Sequence, residues 1–328
     1  MQETPTIIES LFNIKTEADF NRAALSVFEY QFHKVGVYRD FCKALGRTSP
    51  KHYTEIPFLP ISFFKTHQII AEDYKFKHEV IFKSSGTTLG TRSKHYVASL
   101  DIYERSFLHT FSEQISNPEE AIIMALLPNY VQQGDSSLVY MVDHLIRMSN
   151  HSLSGFYLSD PELLVEAIEK AKNESRPIVL FGVSYALLDF AEKKVDLSGV
   201  TIIETGGMKG KRKEMIKEEL HQILKEGLNV PKIFSEYGMT ELLSQAYTDG
   251  GEYFKTPSWM KILTRDVNDP FHLLPDSRTG GVNIIDLANI YSCAFIATDD
   301  LGVKAGNKFK ILGRFDQSDM RGCNLLVN

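Results

Sequence analysis

The sequence predicts an α/β fold, with parallel-rich sheets covered by helices. A helical N-terminal region precedes the sheets and a smaller β-rich C-terminal subdomain follows them. Three observations carry this expectation. Short, nearly continuous apolar runs at 121–127 and 177–181 fit strands buried on both faces. Segments of helical period alternate with such runs between residues 100 and 235. From about residue 250, short strand patterns follow one another with turns between them.

The first ~75 residues read mostly helical. Phe20, Ala24, Val27, Phe28 and Phe32 fall on one helical stripe. Pro57 and Pro60 then punctuate an apolar connector. Residues 80–83 read as a strand entering a Ser/Gly/Thr loop. Helices are expected at 101–112, 136–148, 161–171 and 184–193. Pro161 suits a first helical turn. Strands are expected at 121–127, 177–181, 200–204 and 232–235. Residues 211–226 read as a charged amphipathic helix. Strands at 281–286, 292–297 and 308–312 complete the pattern. No composition shift marks a linker, so the expectation is one domain over 1–328. Its soft subdivisions are 1–75 (helical), 76–250 (α/β core) and 251–328 (β-rich).

Composition narrows the function classes. The 328 residues hold 36 Lys+Arg against 42 Asp+Glu, a net charge of −6. A dedicated nucleic-acid binder would show a basic excess. The three cysteines, Cys42, Cys293 and Cys323, are too few for a disulfide scaffold. No apolar run approaches the ~20 residues of a membrane helix, and no signal peptide is readable. A cytoplasmic setting is expected.

Four motifs could carry chemistry. The first is Lys83-Ser-Ser-Gly-Thr-Thr-Leu-Gly-Thr-Arg-Ser-Lys94. Its glycines permit close backbone approach, its hydroxyls and N–H groups can cradle phosphate oxygens, and Arg92 or Lys94 adds charge. The spacing is not that of a Walker A loop. An ordinary Ser/Thr-rich turn would have similar composition. The second is Glu236-Tyr-Gly-Met-Thr-Glu241, after a strand, where open α/β sheets bind ligands. Thr240 could meet a phosphate and Glu241 a magnesium ion. The plainer alternative is a strand-to-helix turn with a capping Thr. The third is Glu204-Thr-Gly-Gly-Met-Lys-Gly210, whose paired glycines suit passage of a planar base or simply a tight turn. The fourth is Thr298-Asp-Asp300 followed by Gly313-Arg314, a carboxylate and an arginine able to hold ribose hydroxyls and support a nucleotide. Beyond it, Cys323 is flanked by Arg321, which would favour thiolate; a small packing residue is the plainer alternative. A rival, Gly182-Val-Ser-Tyr-Ala186, nearly matches the G-x-S-x-G nucleophile elbow, with Ala186 in place of the last glycine. No His/Cys spacing indicates a zinc site.

Taken together and in this order, the motifs resemble those of adenylate-forming enzymes, the superfamily of acyl-CoA synthetases and phenylacetate-CoA ligases. Within it the chain looks most like the LuxE-type acyl-protein synthetases. Pro57-Phe-Leu-Pro-Ile-Ser-Phe-Phe-Lys65, Ser136-Ser-Leu-Val-Tyr-Met-Val and Arg321-Gly-Cys-Asn-Leu-Leu fit that branch. The resemblance covers nearly the whole chain and implies the superfamily's large adenylating domain. The mobile C-terminal domain is expected to be absent.

The resemblance also implies roles. Ser84, Ser85, Gly86, Thr87 and Thr88 would form the ATP phosphate loop, with Arg92 as its basic residue. Gly206 and Gly207 would border the adenine. Tyr237, Gly238 and Met239 would lie against the nucleotide, with Thr240 at the α-phosphate. Glu241 would position Mg2+. Asp300 would hold the ribose beside Arg314, and Cys323 would receive the acyl group. Leu89 interrupts the usual Thr-Thr-Gly before Gly90, and the usual Gly-Arg-x-Asp-Asp reads Gly313-Arg-Phe-Asp-Gln317. The implied cofactors are ATP and Mg2+. The implied partners are a fatty or other carboxylic acid and an acyl reductase or acyl carrier. Two other functions remain open at this point: a ligase with coenzyme A as acceptor, and a non-catalytic nucleotide or acyl binder.

Overall fold

A computed structural model describes residues 4–85, 91–127, 134–206 and 215–314. In chain order its helices are α1 (Thr4–Leu11), α2 (Glu17–Lys34), α3 (Gly36–Ala44), α4 (Phe63–Thr66), α5 (Leu100–Gln114), α6 (Ser137–Ser149), α7 (Pro161–Ala171), α8 (Ser184–Ala191) and α9 (Lys217–Leu228). The strands are β1 (Leu59–Pro60), β2 (Val80–Lys83), β3 (Lys94–Val97), β4 (Ile122–Leu126), β5 (Gly155–Phe156), β6 (Ile178–Val183), β7 (Val200–Thr205), β8 (Phe234–Tyr237), β9 (Ala246–Thr248), β10 (Phe254–Lys255), β11 (Met260–Arg265), β12 (Thr279–Asp286), β13 (Phe295–Ala305) and β14 (Lys308–Arg314). They fall into two compact units. One is residues 78–257; the other joins 1–77 to 258–328.

The 78–257 unit is built on a sheet in which β5, β4, β6, β7 and β8 are parallel neighbours. β9 and β10 extend it in antiparallel fashion. Every residue of β4 and β6 is buried, which explains their unbroken apolar sequences. Gly182 is needed at the end of β6, because a Cβ there would lie 2.6 Å from the Leu187 side chain. The carboxyl ends of β6, β7 and β8 fall at Val183, Thr205 and Tyr237. A separate hairpin pairs β2 with β3, Lys83 opposite Lys94.

The discontinuous unit pairs β11, β12, β13 and β14 in antiparallel order, with β1 parallel to β13. α2 opens with a capping box: Thr16 accepts from the Asp19 N–H at 3.1 Å, and Asp19 accepts from the Thr16 N–H at 3.1 Å. Its buried stripe holds Phe20, Ala24, Val27 and Phe28 as expected. Phe32 is only half-buried, and Gln31 is buried instead. The Gln31 amide donates to the carbonyls of Asn289 and Ile290 at 2.9 Å each and accepts from the Ala294 N–H at 3.1 Å. Three bonds satisfy this side chain, which is why a polar residue can occupy a core position.

Several boundaries differ from the sequence expectation. The strand expected at 232–235 runs Phe234–Tyr237, so Glu236 and Tyr237 belong to the strand. Ser235 and Tyr237 alternate inward, while Pro231 and Lys232 are exposed. The strand expected at 292–297 instead runs Phe295–Ala305 and carries Thr298 through Asp300 in its interior. Residues 292–294 are held in a turn, where the Asn289 amide donates to the Cys293 carbonyl at 3.0 Å. α9 begins at Lys217, after extended Ile216 (ψ 152°); residues 211–214 of the expected helix lie outside the described set. β11 has no counterpart in the sequence expectation, because its alternation is blurred by inward Thr264 and Arg265.

Candidate active site

In the 78–257 unit the site is assembled at the mouth of the β2–β3 hairpin and at the carboxyl edge of the parallel strands. Beyond the last hairpin pair, the Ser84 N–H donates to the Ser93 carbonyl at 3.1 Å, and the Ser93 N–H donates to Ser84 Oγ at 3.0 Å. Ser84 thus closes the stem, and Ser85 is exposed at its end. Gly86, Thr87 and Thr88, with Leu89 and Gly90, lie outside the described residues. Arg92 belongs to the stem as well. It donates to the Ser84 carbonyl, to the Lys83 carbonyl at 3.2 Å and to the Asp135 carboxylate at 2.9 Å. Lys83 Nζ adds a second cation 3.5 Å from Asp135. Burial raises the Asp135 pKa, but Arg92 and Lys83 outweigh it and hold the carboxyl below its ordinary range.

The Tyr-Gly-Met-Thr-Glu segment joins β8 to β9 without any helix, so Thr240 caps none and the simpler strand-to-helix reading does not apply. Tyr237 is buried in the strand, with its ring 5.7 Å from Phe254 and its hydroxyl 3.4 Å from Met239 Sδ. Gly238 is exposed, Met239 and Thr240 are half-buried, and Glu241 is only 5% exposed. His95, buried in β3, donates from Nδ1 to the Thr240 carbonyl at 2.8 Å. That bond ties the hairpin carrying the Ser/Thr/Gly loop directly to the Tyr-Gly-Met-Thr-Glu turn.

β7 delivers Gly206, which is exposed; Gly207 lies outside the described residues. Just before it, buried Glu204 accepts from Ser184 Oγ at 2.5 Å and from Ser235 Oγ at 3.2 Å, with His221 Nε2 4.0 Å away. Burial raises its pKa, but His221, Lys217 and Ser184 outweigh it and lower the pKa overall. Ser184 therefore gives its proton to a carboxylate and lacks the histidine partner of a nucleophile elbow. Thr205 Oγ1 and Gln245 Oε1 are buried without a hydrogen-bond partner, leaving orphaned polar atoms beside these motifs.

In the discontinuous unit, Asp300 and Arg314 are register partners across β13 and β14, and Arg314 Nε donates to Asp300 Oδ1 at 3.1 Å. Asp300 is 5% exposed and its N–H donates to Thr298 Oγ1 at 3.1 Å. Buried Arg265 fixes the strand behind it, donating to the Thr298 carbonyl at 2.6 Å and the Val282 carbonyl at 2.8 Å. Cys42 and Cys293 are both fully buried here. Burial pushes the Cys42 thiol up to about 12 and the Cys293 thiol higher still. Cys323 lies outside the described residues.

Sequence reasoning missed Asp135, Arg265 and the His95–Thr240 bond. None has a local signal, because each acts through partners distant in the chain. Glu204 and Glu236 stood in the motifs, but only as their first letters.

No cluster of three or more His, Cys, Asp or Glu side chains suited to a metal occurs among the described residues. A single buried carboxylate such as Glu241 fits Mg2+, which takes one or two protein carboxylates and completes its shell with substrate phosphates and water.

Solved structures share this architecture. An open conformation of 2-hydroxyisobutyryl-CoA ligase, in complex with 2-HIB-AMP and CoA, superposes at TM-score 0.65 with 10% identity, covering 93% of this chain and 72% of that one. ATP-bound MatB from Rhodopseudomonas palustris gives TM-score 0.54 and 17% identity, covering 71% of this chain and 47% of that one. The fold is that of the adenylate-forming enzymes. The family described as "Acyl-protein synthetase, LuxE" matches residues 11–328, and the chain belongs to that family. Two relatives are long-chain-fatty-acid–luciferin-component ligases. The one from Vibrio harveyi is 23% identical over 94% of this chain and 87% of its own length. The one from Aliivibrio fischeri is 23% identical over 91% of this chain and 85% of its own.

Proposed function

We propose that this chain uses ATP to activate a fatty acid as acyl-AMP and then carries the acyl group as a thioester on Cys323. The observation that carries the reading is the His95–Thr240 hydrogen bond, which brings two motifs 145 residues apart to one edge of the sheet. In the first step a carboxylate oxygen attacks the α-phosphorus and pyrophosphate leaves. Ser84 and Ser85, with the loop they open onto, bind phosphate oxygens. Thr240 meets the α-phosphate, and Asp300 takes ribose hydroxyls. Glu241 would hold Mg2+, which supplies charge neutralisation over the phosphates. Positioning and electrostatics account for most of the rate. In the second step the Cys323 thiolate attacks the acyl carbonyl, AMP leaves, and the thiol proton passes to solvent.

Cys323 is the acceptor that the family resemblance implies, and the chemistry of the other two thiols supports it. Cys42 and Cys293 are buried thiols held protonated at neutral pH, so neither offers a thiolate to an acyl-adenylate. Arg92 takes a different part from direct phosphate binding: its guanidinium is committed to Asp135 and the stem carbonyls, so it shapes the loop. The receiving partner is an acyl reductase or carrier able to accept a thioester-bound acyl group.

Acid-dependent ATP–pyrophosphate exchange over a chain-length series tests the first step. Incubation with ATP and labelled acid then tests the second, through a hydroxylamine-sensitive adduct. The adduct is expected with the unaltered protein and C42A, and lost in C323A with exchange retained. Equal labelling of C323A overturns the thioester assignment. CoA-dependent AMP release that survives C323S would make coenzyme A the acceptor.

A further inference from the structure

Asp300 lies in an irregular stretch of its strand. Gly281 of β12 pairs with Leu301 of β13, and Asn283 pairs with Ala297. Between those two pairs one residue of β12, Val282, faces three of β13: Thr298, Asp299 and Asp300. The strand is therefore bulged at the residue to which the proposed reaction gives the ribose hydroxyls. A bulge bends its strand and turns a side chain out of the regular alternation, and it disrupts the ladder of hydrogen bonds locally. Something else must hold such a stretch in one shape.

The Arg265 guanidinium does so from β11. Its Nη1 donates to the Val282 carbonyl and to Asn283 Oδ1, both at 2.8 Å, and its Nη2 donates to the Thr298 carbonyl at 2.6 Å. One planar group thus clamps both sides of the bulge. Thr298 completes the clamp: its Oγ1 donates to the Val282 carbonyl at 2.9 Å and accepts from the Asp300 N–H at 3.1 Å. The guanidinium therefore reaches the Asp300 backbone through the Val282 carbonyl and the Thr298 hydroxyl. Arg265, Thr298 and Asp300 are all buried, so a lost donor would leave acceptors without a partner inside the sheet. Gly281 provides the space. A Cβ there would lie 2.7 Å from Arg265 Cζ and 3.0 Å from Nε and Nη1, and a head bonded to three acceptors cannot swing aside freely.

We infer that Arg265 is a positioning residue for nucleotide binding: its guanidinium holds the β13 bulge in the shape that aims the Asp300 carboxylate at the ribose hydroxyls, and Gly281 is the space it needs. The role rests on the nucleotide-binding reading of Asp300. It calls for arginine in particular, because a rigid fork of donors bridges carbonyls on two strands, whereas a lysine ammonium is a single point charge on a flexible stem.

The experiment compares the dissociation constants of ATP and of dideoxy-ATP, which lacks both ribose hydroxyls, by equilibrium dialysis with Mg2+. The unaltered protein should bind dideoxy-ATP roughly tenfold or more weakly, the contribution of a charge-assisted hydrogen bond. R265K keeps a cation without the fork, and G281A keeps the arginine but displaces it. In both, ATP should weaken while dideoxy-ATP hardly changes, so that the gap closes to about threefold or less. A merely structural defect would weaken both nucleotides alike, and an unchanged ratio overturns the proposal. Should R265K not fold, G281A alone carries the test. D300N should close the gap by itself, and R265K added to it should change the ratio no further, since residues in one chain of hydrogen bonds do not add. If D300N keeps the full ratio, or ATP does not bind, the ribose reading of Asp300 fails by itself, and amide hydrogen exchange still decides the Arg265 role without any nucleotide. The Asp300 N–H should exchange about tenfold faster or more in R265K and G281A, with β4 and β6 unchanged. Equal protection of Asp300 in the variants and the unaltered protein overturns the inference.

Discussion

Arg314 reaches across the β13–β14 pair to bond Asp300 at 3.1 Å, although the arginine side chain is 75% exposed and the aspartate is buried. One charge is fixed by the strand and the other approaches from solvent. That asymmetry is what the proposed nucleotide site asks for: a buried acceptor for hydroxyls beside a cation that approaches from solvent. Asp300 owes its fixity to neighbours without solvent contact, since the Thr298 hydroxyl bonds both the Asp300 N–H and the Val282 carbonyl.

D300N keeps the volume and removes the charge-assisted acceptor. The expected outcome is a rise in the KM for ATP of roughly tenfold or more, about what one charge-assisted hydrogen bond contributes. The KM for the acid should hardly change. Exchange kinetics with each substrate varied in turn measure both, and an equal rise in the two constants would remove Asp300 from the nucleotide site.

The Arg92–Asp135 pair makes a different prediction, about coupling. Arg92 bonds two carbonyls of the hairpin stem and the Asp135 carboxylate, so either partner lost leaves the other without its geometry. R92A and D135A should each slow exchange at least tenfold, and the double variant should be little slower than either, since residues in one network do not add. Strict additivity in a double-mutant cycle would show that the pair does not shape the loop. The pH direction follows from the carboxyl. Asp135 is held below its ordinary range, so its contribution is present above that range and fades as pH falls through the lowered value. Both groups are about one-third exposed, which keeps the effect small.

Gly238 offers a steric test. G238A would place its methyl 2.2 Å from Glu236 Oε1, and the flexible carboxyl must move to admit it. Exchange should fall while global stability changes little, because the end of a side chain yields more cheaply than backbone. Adding E236A to G238A should cost nothing further, since the displaced group is already gone. A further loss in the double variant would show that Gly238 acts for another reason.

Much of the fold was legible because buried parallel strands announce themselves: β4 and β6 have no exposed residue, and their sequences have no polar one. The candidate site could be read as motifs only where its parts are local, in the Ser/Thr/Gly segment after β2 and the Tyr-Gly-Met-Thr-Glu segment at the end of β8. What escaped acts over distance. Asp135 reaches Arg92 across 43 residues, and His95 reaches Thr240 across 145. β13 escaped for a related reason: Thr298, Asp299 and Asp300 look like a turn in sequence, but the buried Arg265 guanidinium and the Thr298 hydroxyl satisfy the polar groups of a strand interior.

The discontinuous unit sets an order of events during synthesis. Gln31 on α2 finds its partners only at Asn289, Ile290 and Ala294, and Leu59 in β1 pairs with Ile296. Between them runs the whole of residues 78–257, a contiguous unit with its own sheet. At ~5–20 residues per second, the N-terminal helices emerge roughly 12 to 50 s before the segments that complete them. Through that interval the apolar stripe of α2 and the β1 edge are uncovered on a growing chain. The part that closes first is the one made second, and the first-made helices are the segment of this protein most in need of a chaperone.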